Sequence, residues 1–166
     1  MLQRLTDTAS LEKTEVTAFF GEILRRGLSL RVKVTGKSMV PFLKGGEVVI
    51  VKKVPCSDLR IGDLIFFENP NGFPILHRIV RKRGSTGDDI ILQTRGDALM
   101  SFDAEIREDN VLGKVLRIER PTQSGKTTHI DMNSVFYRCM NFSIAARVFF
   151  KTRAYFLLSG VVLKKT

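Results

Sequence analysis

The chain has 166 residues, of which 43% are hydrophobic and 27% are charged. That length favours one folded domain with or without an appendage, and that balance excludes a disordered or collagen-like chain. The formal net charge is +10, but it is unevenly spread: residues 1–113 hold 17 basic and 15 acidic residues, and residues 114–166 hold 10 and 2. The positive charge therefore belongs to the C-terminal third of the chain.

The cysteine and histidine content bears on compartment and cofactors. Cys56 and Cys139 form no CxxC pair, which favours a reducing compartment. With only two histidines, the chain has no metal-ligand spacing, so we predict neither a metal site nor a cofactor. No apolar run reaches the ~18–20 residues of a membrane span, and the N-terminus does not resemble a secretory signal. We therefore expect a cytoplasmic or peripheral membrane protein without a transmembrane span.

Hydrophobic periodicity predicts an N-terminal helix followed by a series of strands. Apolar residues recur at helical spacing over residues 11–26, and Gly27 can end the helix. Alternation of apolar and polar residues from Leu28 to Thr35 predicts a half-buried strand. Further short strands are predicted over Glu47–Val54, Asp63–Phe67, Pro74–Arg81, Ile90–Thr94, Val111–Glu119 and Thr127–Asp131.

Closely spaced strands with no helix between them are typical of antiparallel sheets. The sequence thus predicts a mainly β fold, an antiparallel barrel or sandwich flanked by an N-terminal helix and C-terminal helices. We divide the chain into an amphipathic helix over residues 1–27, a β domain over residues 28–131 and a basic, apolar helical segment over residues 132–166.

The C-terminal segment is apolar nearly all round, and no acidic residue follows Asp131. Asn141 and Ser143 could interrupt it or cap a second helix. Helices packed on the β domain with a solvated basic face, and contact with an anionic membrane surface, both fit this composition. Nucleic acid as a partner is disfavoured, because the segment has no recognition motif and its charges are interleaved with aliphatic residues.

Ser38 is the candidate nucleophile. It directly follows a predicted strand, in the segment Thr35–Leu43, and lies on a turn flanked by glycine, methionine and proline. A hydroxyl needs a base to become a good nucleophile. His77 interrupts an otherwise apolar strand, whereas His129 lies in a polar run, so His77 is the candidate base.

An imidazole base needs a partner that fixes its tautomer and stabilises its cation. Asp97 and Asp103 both lie just after a predicted strand end, where either carboxylate could reach the imidazole. The residues alone leave both alternatives open.

Four motifs in series strengthen this interpretation: Gly36-Lys37-Ser38-Met39-Val40-Pro41-Phe42-Leu43, Gly62-Asp63-Leu64-Ile65, His77-Arg78-Ile79-Val80 and Gly96-Asp97. Together they resemble the type I signal peptidase family and the related self-cleaving repressor peptidases. The resemblance covers about residues 28–116 and is to the members whose base is histidine rather than lysine.

The resemblance implies a role for each matched residue. Ser38 is the nucleophile, His77 the general base and Asp103 the orienting carboxylate, with Asp97 as the second choice. It also implies that Gly36, Met39 and Pro41 lie beside the substrate and the oxyanion.

The chain departs from the family pattern in two ways. Gly36 stands where bacterial members often have a serine that helps to hold the oxyanion, and an amphipathic helix replaces the usual membrane-spanning one.

The sequence therefore predicts a serine endopeptidase that cleaves a leader or signal peptide from a precursor peptide or preprotein. The resemblance implies small residues before the cleaved bond and a substrate held as an extended strand. Two alternatives use the same fold: a non-catalytic peptide-binding module, and a self-cleaving regulator.

Overall fold

The structure, a computed structural model, describes residues 15–84, 89–122 and 124–158. Helix α1 covers residues 15–25, and the predicted start of this helix at residue 11 lies outside the described residues. The Gly27 amide donates to the Leu24 carbonyl, and the residue adopts a φ of 77°. This glycine therefore ends the helix as predicted.

Seven strands form one antiparallel sheet, which confirms the mainly β prediction. They are β1 (Ser29–Lys33), β2 (Val48–Lys52), β3 (Leu64–Glu68), β4 (Pro74–Arg83), β5 (Ile91–Arg95), β6 (Val111–Pro121) and β7 (Thr127–Asp131). The order is β1-β2-β6-β3-β4-β5, and β7 pairs with β6. Each strand lies within two residues of its predicted bounds at either end, because the apolar alternation that predicts it also sets its register.

The core consists of two main apolar clusters, and β3 contributes to both. Leu64 and Phe66 belong to the first cluster, and Ile65 and Phe67 to the second. Successive strand residues point to opposite faces, so a continuous apolar run is what a strand buried on both faces requires.

Helix α2 (Val135–Leu158) is continuous, and the predicted break into two helices is wrong for the described residues. Neither Asn141 nor Ser143 caps a helix. The Asn141 side-chain oxygen accepts a hydrogen bond from Arg78, and the Ser143 hydroxyl donates to the Cys139 carbonyl one turn earlier. Both polar groups are therefore satisfied inside an unbroken helix.

Helix α2 packs on the sheet through close backbone contact and buried arginines. A Cβ atom built on Gly62 would lie 2.8 Å from the Asn141 backbone, so only a glycine permits this approach. Arg95 is buried and donates to the Val148 carbonyl and the Thr152 hydroxyl of the helix. Burial lowers the pKa of the Arg95 guanidinium, and the charge of Asp97 opposes that effect.

Candidate active site

Ser38 lies on a tight turn (residues 38–42, the serine turn) that follows β1. Met39 anchors this turn, since only 2% of its surface is exposed and its carbonyl accepts a hydrogen bond of 2.9 Å from the Leu43 amide. The Val40 amide donates to the Lys37 carbonyl, which closes the other side of the turn. Burial of Met39 thus leaves its neighbour Ser38 half-buried at the surface.

The three residues expected beside the substrate, Gly36, Met39 and Pro41, differ in their exposure and in whether they line the cavity at Ser38. Gly36 and Met39 both line the cavity that borders Ser38. Gly36 is exposed, and a Cβ atom built on it would meet nothing within 4 Å. Pro41 is exposed and follows a cis peptide bond.

His77 pairs with Asp103. Its Nδ1 lies 2.7 Å from Asp103 Oδ2, and only 4% of the histidine surface is exposed. The Thr94 hydroxyl donates to the same carboxylate oxygen at 2.7 Å, and the Asp103 amide donates to the Thr94 carbonyl at 3.0 Å. Asp103 is therefore fixed to β5 by both its backbone and its side chain, which orients the imidazole of β4.

Asp97 does not contact His77. It forms a bidentate pair with Arg78, at 2.8 Å to Nε and 2.7 Å to Nη2, and both side chains are almost fully buried. Adjacent strand residues point to opposite faces, so His77 and Arg78 diverge and each takes its own aspartate. Of the two candidate carboxylates, the structure thus brings Asp103 to the imidazole and Asp97 to the guanidinium.

Arg78 contacts three segments of the chain that surround the site. Its Nη1 donates to the Gly62 carbonyl and to Asn141 on α2, and its guanidinium lies 4.8 Å from the centre of the Phe42 ring in the serine turn. Arg78 has no exposed surface, so its charge depends on the buried Asp97 carboxylate for compensation and on these neutral acceptors for its remaining hydrogen bonds. This connecting role of Arg78 was not predicted from the sequence. A charged residue in an apolar strand, directly after His77, is the sequence feature that indicates it.

The loop that carries both aspartates also touches the serine turn. The Ala98 amide donates to the Ser38 carbonyl at 2.8 Å. A Cβ atom built on Gly96 would lie 2.8 Å from that carbonyl oxygen, so a side chain here would push the serine turn away. The position of Ser38 therefore depends on this glycine.

Ser38 and His77 line the same cavity of about 510 Å³. Most of its wall is apolar and comes from α1, β1, the serine turn and β4; it includes Phe20, Val32 and Leu76. Within the described residues, the Ser38 hydroxyl makes no hydrogen bond to His77. In ligand-free sites such bonds are often long and shorten only when substrate binds.

The chain matches no protein-family model, and no curated protein sequence matches it. The family resemblance therefore depends on the four sequence motifs alone.

Proposed function

We propose that this protein is a serine endopeptidase of the signal-peptidase type, with Ser38 as nucleophile, His77 as general base and Asp103 as the carboxylate that orients the base. The observation that carries the proposal is the 2.7 Å contact of His77 with Asp103, beside a cavity that Ser38 also lines. A buried imidazole held by a carboxylate, on the same cavity as a serine hydroxyl, supplies the base and the nucleophile that acyl transfer to serine requires.

The proton has a defined route in this mechanism. Nδ1–H of His77 donates to Asp103, which leaves Nε2 to take the proton of Ser38 as its oxygen bonds to the scissile carbonyl carbon. The imidazolium is stabilised by the carboxylate and returns the proton to the leaving amine when the peptide bond breaks. Water then hydrolyses the acyl-enzyme, with His77 acting again as base.

Among the described residues, the site has few hydrogen-bond donors to stabilise the oxyanion. The Ser38 amide is a candidate donor, but Gly36 offers no side chain where many bacterial family members have a serine. One such donor contributes about 3 kcal/mol to transition-state stabilisation. We therefore expect slower turnover than a site with two donors would give.

The proposed substrate is an extended segment of a precursor peptide or preprotein, with small residues before the cleaved bond, as the family resemblance implies. Two features of the cavity support binding as an added strand. β1 is at the edge of the sheet, and β5 pairs with β4 only from Arg78 to Arg83, beyond the Pro74–His77 stretch that lines the cavity.

The test is cleavage of a peptide library by the wild-type protein and by Ser38→Ala, with products identified by mass spectrometry. Removal of a nucleophile lowers kcat by a factor of about 10⁶. We expect cleavage after small residues by the wild type and none by the variant. Equal cleavage by both proteins would contradict the proposal.

A second candidate function is a non-catalytic peptide-binding module. It is favoured by the missing hydrogen bond between the Ser38 hydroxyl and His77. Under this alternative, Ser38→Ala would bind the same library peptides as the wild type, and neither protein would cleave them.

A further inference from the structure

Helix α2 has an outward face that carries large apolar side chains. Its inner face packs on the sheet through Asn141, Ala145, Val148 and Thr152, which recur at helical spacing. On the outer side, 70% of Phe136, 69% of Phe150 and 79% of Leu157 are exposed. A helix normally turns its polar side to water, so this reversed distribution calls for a second apolar environment.

The same helix is strongly basic. Arg147, Lys151 and Arg153 are all exposed beside the outward face, and the sequence of α2 contains no acidic residue. An anionic bilayer surface accommodates both kinds of side chain, since its acyl region takes up the apolar ones and its phosphates attract the cations.

We propose that α2 docks the protein on an anionic lipid surface, with Phe136, Phe150 and Leu157 in the headgroup and upper acyl region and the three cations at the phosphates. This inference does not depend on the proposed peptidase activity, because it uses no residue of the Ser38 site.

The cations of α2 favour a membrane over a second copy of this chain as the partner that covers the outward face. Two copies that met through the outward face of α2 would bring together three cations from each helix with no acid on that element to neutralise them. An anionic leaflet attracts each of these cations instead. Within the described residues no helix is both long and apolar enough to cross a bilayer.

The experiment is co-sedimentation of the full chain with vesicles of phosphatidylcholine alone and of an equal mixture of phosphatidylcholine and phosphatidylglycerol. We expect binding to the mixed vesicles and little to the neutral ones. Each neutralised cation lowers the partition coefficient about fivefold, so Lys151→Gln with Arg153→Gln lowers it roughly 25-fold. Phe136→Ser with Phe150→Ser lowers it by a factor of at least about 100.

Phe19→Ser is the matched control, because this phenylalanine on α1 is 63% exposed but lies off the proposed face. It should bind mixed vesicles as the wild type does. Thermal unfolding of every variant shows whether the fold is kept, which the exposure of the changed side chains leads us to expect.

Four results would overturn the proposal. They are no vesicle binding by the wild type, equal binding to neutral and mixed vesicles, equal loss in Phe19→Ser, and a lipid-free dimer in sedimentation velocity that Phe150→Ser disrupts. The last result would assign the face to a second copy of the chain.

Discussion

Asp97 and Asp103 lie on one loop, and the structure predicts opposite consequences of changing each to asparagine. Asp103→Asn replaces a carboxylate that contacts His77, and its side chain is 20% exposed. Asp97→Asn removes the charge that neutralises Arg78, where 2% of the Asp97 side chain and none of the Arg78 side chain is exposed. Both substitutions keep the shape of the side chain, so each variant is the control for the other.

The expected magnitudes follow from these contacts. An asparagine cannot stabilise the imidazolium and favours the wrong tautomer, so Asp103→Asn should lower kcat about 10⁴-fold. Its effect on the free energy of unfolding should stay near 1 kcal/mol, the contribution of one hydrogen bond. Asp97→Asn leaves a buried guanidinium uncompensated and should cost about 3–5 kcal/mol of stability.

Urea unfolding measures the stability, and cleavage of a peptide selected from the library measures kcat in the molecules that remain folded. The reasoning is refuted if Asp97→Asn abolishes cleavage at unchanged stability while Asp103→Asn cleaves normally. That result would make Asp97 the carboxylate of the triad.

Three further predictions concern smaller groups. Gly96→Ala should shift the Ser38 turn and cost about 1–3 kcal/mol of stability with loss of cleavage, whereas Gly36→Ala, built into open space, should leave urea unfolding unchanged; equal effects on unfolding would contradict this. Gly36→Ser should raise kcat by up to about 100-fold if its hydroxyl reaches the oxyanion, and an unchanged kcat would exclude that donor. Burial raises the pKa of the Cys56 thiol to about 11, so mass spectrometry should find iodoacetamide on exposed Cys139 long before Cys56, and equal rates would refute this.

The strands could be predicted from the sequence because their signal is local. Alternation in Leu28–Thr35 and short apolar runs between glycine and proline turns fix both the period and the boundaries of each strand. The unbroken course of α2 could not be predicted in this way. Asn141 is compatible with a helix only because Arg78, 63 residues away in sequence, supplies its hydrogen bond.

The residue types of the site were predictable from the sequence, but the residues alone left its pairing open, and only the family resemblance favoured Asp103 over Asp97. Both aspartates follow β5 within a few residues, so spacing cannot decide which of them reaches the imidazole. The choice depends on the opposite faces of His77 and Arg78 and on the hydrogen bonds of Thr94, a residue with no distinctive sequence signal. These are contacts between strands, and they exist only after the sheet has formed.

The most direct measurement of the central claim is the reaction of the protein with a fluorophosphonate, which reacts preferentially with a serine oxygen whose proton a base can remove. Intact-mass spectrometry should show one adduct on the wild type, peptide mapping should locate it at Ser38, and both Ser38→Ala and His77→Ala should stay unmodified. A wild-type protein that remains unlabelled, or that labels equally well without His77, would contradict an activated serine at this site.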